Sequence, residues 1–123
     1  MDSREQHWIL SSIDTIVPFE RRLEDSNLIP FRASSVDILQ INITRKCTLS
    51  CKHCHVQAGP DRSEVMSRET LEHCARVVEG NDIPVVDITG GAPETNPDLR
   101  WFVERVCAGR RLIVRTNLVI LQE

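Results

Sequence analysis

Three cysteines fall within eight residues, in the run Cys47-Thr-Leu-Ser-Cys51-Lys-His-Cys54-His55. Cysteine thiolates are the usual ligands of iron–sulfur clusters. Three of them bind three irons of a [4Fe–4S] cube and leave the fourth iron an open position. An open position is what separates a catalytic metal site from a structural one. The chain has five cysteines, an odd number, and a tight cluster of three is not the spread of a disulfide framework. The N-terminus is mixed in charge around Met1, and Asp14 interrupts the weak apolar stretch 8–17, so no export signal is read. A cytoplasmic location is expected, where thiols stay reduced and a cysteine cluster points to metal.

A second candidate site is the turn Gly90-Gly91-Ala92-Pro93-Glu94. Glycines permit a close backbone approach to a ligand because they carry no Cβ. The elements around the two motifs explain how they meet. Residues 36–43 alternate as a strand, with Leu39, Ile41 and Ile43 on one face and Gln40, Asn42 and then Thr44 on the other. A polar loop, 44–66, holds the cysteines. Ser67 caps a helix through Glu79 with Leu71, Cys74, Ala75 and Val78 on its apolar stripe, and Gly80 reads as its C′ residue. A second strand, 83–89, runs into the glycine turn. Asn96 as N-cap and Pro97 at the first position begin a helix to Cys107 with Leu99, Phe102, Val103 and Val106 inward. A third strand covers 111–116.

This β-loop-α-β-loop-α-β order implies α/β architecture with a parallel sheet and right-handed crossovers. Both motifs follow the C-terminal ends of strands, where parallel α/β folds bind ligands. One strand face is apolar, with Val86, Ile88, Leu112 and Val114 joining the first strand's set. The other carries Asn42, Asp87, Thr89, Arg115 and Asn117, which we take as pocket candidates. Asp87 and Arg115 lie on consecutive strands and are expected to pair, either only satisfying each other or also orienting a ligand.

The spacing C-x3-C-x2-C after a first strand, followed by a glycine turn after the second, resembles the radical S-adenosylmethionine (radical SAM) superfamily. The resemblance implies that Cys47, Cys51 and Cys54 hold the cluster and that the open iron chelates SAM. It implies that the backbone of Gly90, Gly91, Ala92 and Pro93 contacts the methionine amino group. That turn usually ends Gly-Gly-Glu-Pro; here Ala92 replaces Glu, and Glu94 follows the proline. The residue before the last cysteine is usually aromatic there and is His53 here. The segments Leu39-Gln-Ile-Asn-Ile-Thr44, Cys54-His-Val-Gln-Ala-Gly-Pro60, Asp87-Ile-Thr-Gly-Gly-Ala-Pro-Glu94 and Arg115-Thr-Asn-Leu118 together look like the arsenosugar-biosynthesis radical SAM (radical SAM/Cys-rich) proteins. That likeness implies a partial (β/α)6 barrel, of which about three strands are present. It also implies a dimethylated trivalent arsenic substrate and a flavodoxin- or ferredoxin-like electron donor.

Composition narrows the field further. At 123 residues the chain cannot hold a (β/α)8 barrel, which needs about 250 residues. A net charge of −3 offers no basic excess for nucleic acid, and the apolar runs are too short to span a membrane. Residues 1–35 read as a polar lead-in, with a short helix over 18–25 and a linker over 27–35. Residues 36–123 read as a core domain cut before its remaining strands, with Leu112, Val114 and Ile120 left without a covering helix. Competing readings are another radical SAM substrate, a truncated remnant, a zinc module using Cys47, Cys51, Cys54 and His55, and c-type haem attachment at Cys51-Lys-His-Cys54-His55. Cys74 and Cys107 are expected in cores, and His7 and His73 at the surface. His53 and His55 either tune the cluster through a sulfur or face solvent. Asn42 and Thr44 either cap the loop or line the pocket.

Overall fold

A computed structural model describes residues 3–13 and 17–120. Met1 and Asp14, cited above on the export signal, lie outside them. Two compact units are formed, Met1–Ser34 and Ser35–Glu123.

In the first unit, α1 (Ser3–Ser11) and α2 (Phe19–Asp25) are helical. Pro18 precedes α2 as its N-cap, and its carbonyl accepts the first helical bond from the Arg22 N–H. Its ring-fixed φ suits the entry to a helix. Phe19 packs edge-on against Phe31 with ring centroids 6.3 Å apart. The sequence reading has no helix where α1 lies.

The second unit runs β1 (Ile38–Asn42), α3 (Arg68–Glu79), β2 (Val85–Thr89), a 3-10 turn (Pro93–Thr95), α4 (Leu99–Val106) and β3 (Arg111–Val114). The strands form one parallel sheet in the order β1-β2-β3. Register aligns Leu39 with Val86 and Leu112, and Ile41 with Ile88 and Val114. These rows face the helices, as the alternation predicts. Leu71, Ala75 and Val78 of α3 and Phe102 and Val106 of α4 close the core against them. The α/β architecture and parallel order are those expected of a partial radical SAM barrel.

Boundaries shift where side chains replace backbone partners. Ser67 caps α3 as expected, its Oγ accepting from the Thr70 N–H at 3.3 Å. Gly80 is not a left-handed C′ residue; its φ is −83°. The Asn81 side chain instead donates to the Val77 carbonyl at 2.7 Å, so the last turn is satisfied without a left-handed residue. The last helix begins at Leu99 rather than Pro97. Asn96 accepts from the Asp98 N–H at 2.8 Å, but its amide is also tied to the Ile43 and Met66 carbonyls. That anchoring holds Asn96 in extended backbone and delays the helix. Cys107 is exposed rather than buried. It is the C-cap of α4, one step past Val106 on the buried stripe, and its thiol turns back to the Glu104 carbonyl. Cys74 is half-buried and packs on the core, and burial pushes its thiol pKa up. Val114 stays 41% exposed, while Leu112 and Ile120 are half-buried.

Phe102 is fully buried at the centre of this core. Phe102→Ala is expected to cost about 3–5 kcal/mol, a large share of the roughly 5–15 kcal/mol of a typical domain. Urea unfolding measures it, and an unchanged midpoint would contradict the packing described.

Candidate functional site

The loop after β1 is zipped together along its own length. The Arg45 N–H donates to the Glu64 carbonyl at 2.8 Å, and the Met66 N–H to the Ile43 carbonyl at 2.9 Å. The Cys47 N–H donates to the Gly59 carbonyl, and the Gly59 N–H to the Arg45 carbonyl, both at 3.1 Å. Thr44 is buried, and its hydroxyl donates to the Glu64 carbonyl and accepts from the Lys46 N–H. Thr44 therefore caps the loop. The Arg45 guanidinium fastens the far side, donating to the Val56 carbonyl at 2.8 Å.

This loop rests on the glycine turn. The Gly91 N–H donates to the Thr44 carbonyl at 2.7 Å, and the Ala92 N–H to the Lys46 carbonyl at 2.9 Å. A Cβ on Gly91 would overlap the Lys46 carbonyl oxygen and lie 2.8 Å from its carbon. A Cβ on Gly90 would overlap the Thr44 carbonyl oxygen, and Gly90 has φ +133°. The missing Cβ atoms thus admit the cysteine loop's own backbone, a reason the sequence reading did not supply. No hydrogen bond among the described residues ends on the Gly90 or Gly91 carbonyl. Ala92 and Pro93 are buried behind the turn. Glu94 follows on the 3-10 turn with its Oε2 buried and unpartnered among the described residues.

Cys47, Cys51 and Cys54 line one cavity of about 200 Å³ with Gly90, Gly91 and Asn117. All three are free thiols. The Leu49 N–H points at the Cys47 sulfur at 3.5 Å and the Ala58 N–H at the Cys54 sulfur at 3.3 Å. Donors aimed at sulfur are what an iron–sulfur site requires around its thiolates. The donor set therefore fits a cluster. Among the described residues no three Cys, His, Asp or Glu side chains converge on a point suited to one metal ion. His53 and His55 are both exposed.

The other pocket candidates separate. Asn42 lines a different cavity, about 740 Å³, with Arg45, Val56, Glu64 and Met66. None of the three cysteines lines that larger cavity, so the smaller one carries the cysteine chemistry. Thr89 is buried in the sheet, its carbonyl accepting from the Ile43 N–H. Asp87 and Arg115 pair as expected, with Arg115 Nη2 2.8 Å and Nε 2.9 Å from the two carboxylate oxygens. Gln40 donates to Asp87 at 2.9 Å from the neighbouring strand. The Arg115 hydrogen bond holds the Asp87 carboxyl below its ordinary range against the upward push of burial, with Gln40 adding to it. The buried hub Asn96 and the backbone donors to sulfur were missed. Asn96 carries a visible signal, a polar residue followed by Pro97, but that signal reads as a cap alone.

Residues 41–123 match the family model of the radical SAM superfamily. The chain belongs to that superfamily. Radical SAM proteins use a [4Fe–4S] cluster and S-adenosylmethionine. The probable GTP 3',8-cyclase of Pyrococcus horikoshii is 34% identical over 68 residues, which cover 55% of this chain and 22% of that protein. The GTP 3',8-cyclase of Geobacter sulfurreducens is 29% identical over 94 residues, covering 72% of this chain and 29% of its own. The antilisterial bacteriocin subtilosin biosynthesis protein AlbA of Bacillus subtilis is 26% identical over 82 residues, covering 66% and 18%. The chain thus spans less than a third of the length of these curated relatives. None of these three carries an arsenosugar name, so the likeness is established at the superfamily level. No solved structure matches the chain. Among the described residues no helix is long and apolar enough to cross a membrane.

Two outcomes follow from this geometry. Gly91→Ala is expected to lower the melting temperature by several degrees. Gly59→Ala, whose Cβ would meet only Ser50 Oγ at 3.8 Å, is expected to be nearly neutral. Equal melting of the two variants would contradict the docked turn. The second concerns pH. The folded Asp87 pKa is depressed, so the pair's contribution is present above the unfolded value of about 3.9 and is lost as pH falls through the folded one. The melting temperature of Arg115→Gln should trail the wild type most at neutral pH, with the gap closing below about pH 4. A gap that is constant with pH would contradict the pairing.

Proposed function

We propose that this stretch is the cluster-holding core of an enzyme that cleaves S-adenosylmethionine reductively, with Cys47, Cys51 and Cys54 as the cluster ligands. The single observation that carries the proposal is one cavity lined by three free thiols and the two glycines of the following turn. Cys47, Cys51 and Cys54 would hold a [4Fe–4S] cluster, which would supply the electron for reductive cleavage of SAM to methionine and a 5′-deoxyadenosyl radical. The protein's own part is positional. Main-chain N–H groups of Leu49 and Ala58 offset thiolate charge at Cys47 and Cys54. The carbonyls of Gly90 and Gly91 accept from the methionine ammonium. Because Ala92 has no polar group, that role falls to backbone. Residues 36–123 form this core, with 1–35 as its lead-in, and the electron donor is flavodoxin- or ferredoxin-like.

For the substrate, the four segments quoted above support addition of the adenosyl radical to a dimethylated trivalent arsenic compound. A second reading, a nucleotide substrate, is favoured by the identity to the Pyrococcus protein named a probable GTP 3',8-cyclase. Incubation with SAM, reductant and either dimethylarsinous acid or GTP separates them. The first reading expects a 5′-deoxy-5′-dimethylarsinoyl adenosine, the radical adduct of the arsinous acid giving up its O–H proton to solvent and one electron to the oxidised cluster; a cyclised guanosine nucleotide would replace it with the second.

Each of Cys47→Ala, Cys51→Ala and Cys54→Ala is expected to reduce 5′-deoxyadenosine formation to background. Wild-type levels in any one of them would refute the three-thiolate assignment.

A further inference from the structure

Asn117 sits just beyond β3, seventy residues from Cys47, yet its Nδ2 lies 3.6 Å from the Cys47 sulfur. The same Nδ2 reaches Thr48 Oγ1 at 3.1 Å. Its other end is fixed. Asn117 Oδ1 accepts from the Val119 N–H at 3.1 Å, so the amide cannot flip without losing that bond. The turn beneath is also held, with the Leu118 N–H donating to Thr116 Oγ1 at 2.9 Å. The amide's donor end is therefore committed to the cysteine loop. Among the described residues Asn117 is the one side chain bonded to any of the three cavity cysteines; the remaining donors to their sulfurs are main-chain N–H groups.

We infer that Asn117 is a positioning residue that sets the reduction potential of the cluster through an N–H···S bond to the Cys47 thiolate. This rests on the cluster reading above. An N–H donor at a ligand sulfur stabilises the more electron-rich, reduced cluster and so raises its potential. The bond also ties the end of the third strand to the first cysteine, so closure of that strand's turn and the electronic state of the site are linked. A potential set in this way governs how readily the donor loads the electron that SAM cleavage consumes.

The test is an EPR-monitored redox titration of the reconstituted protein, with iron and sulfide content and circular dichroism measured alongside. Asn117→Ala is expected to bind a full cluster at a lower midpoint potential. The near-isosteric Asn117→Asp, which replaces the donor with a negative acceptor, is expected lower still. Thr48→Ala removes the other partner of Nδ2 and is expected to leave the potential in place. Equal potentials across wild type and both Asn117 variants would overturn the inference. So would a Thr48→Ala shift as large as that of Asn117→Ala, which would trace the effect to loop order. Loss of the fold or of the cluster in Asn117→Asp would assign the side chain to assembly and also overturn it. Absence of a cluster in the wild type would instead strike at the three-thiolate reading itself.

Discussion

Two backbones share one surface at the heart of this site, and no side chain fits between them. The turn after β2 gives its Gly91 and Ala92 N–H groups to carbonyls of the cysteine loop. That contact requires glycine at 90 and 91, because a Cβ at either would overlap the loop. It fixes where Cys47 begins its excursion from β1, and the other cysteines follow from there. A loop of this length pays considerable conformational entropy to be ordered. The zipped legs between 44–47 and 59–66 and the docked turn offset that cost.

The sheet then sorts the remaining chemistry. Its helix-facing rows are wholly apolar and carry the core. Away from those rows, Gln40 of β1, Asp87 of β2 and Arg115 just beyond β3 form a hydrogen-bonded chain. Asp87 is buried there, and a buried carboxylate is tolerable because it is both paired and hydrogen-bonded. The β3 residue in register with Asp87 is Ile113, so Arg115 reaches back to the carboxylate from beyond the strand, while the apolar face is reserved for packing.

Much of this was legible in the residues. Period-two alternation placed the strands and their faces, and the 3.6-residue stripe placed α3 and α4. The cysteine spacing and the glycine turn pointed to one rim because both follow strand ends. What escaped the sequence depends on contacts across the chain. Asn96 looked like a simple cap, yet its amide holds carbonyls 30 and 53 residues away. Cys107 looked buried from its place beside an apolar stripe, but the helix ends there and turns it outward. Gly90 and Gly91 read as sites of close approach to a ligand. The structure brings the backbone of the cysteine loop against them, a contact that a linear reading has no means to see. Asn42 and Asn117 looked alike as polar residues at strand ends, and only the fold sends one to the cysteines and the other to a separate cavity.

On our proposal Cys47, Cys51 and Cys54 hold a cluster with one iron left open beside the glycine turn. Mössbauer spectroscopy of the anaerobically reconstituted, iron-57-labelled protein, with and without SAM, addresses it most directly. We expect a [4Fe–4S] cluster in which one iron site changes its isomer shift when SAM is added, while the other three keep theirs. A spectrum unchanged by SAM, or a protein that takes up one zinc ion and no cluster, would contradict it.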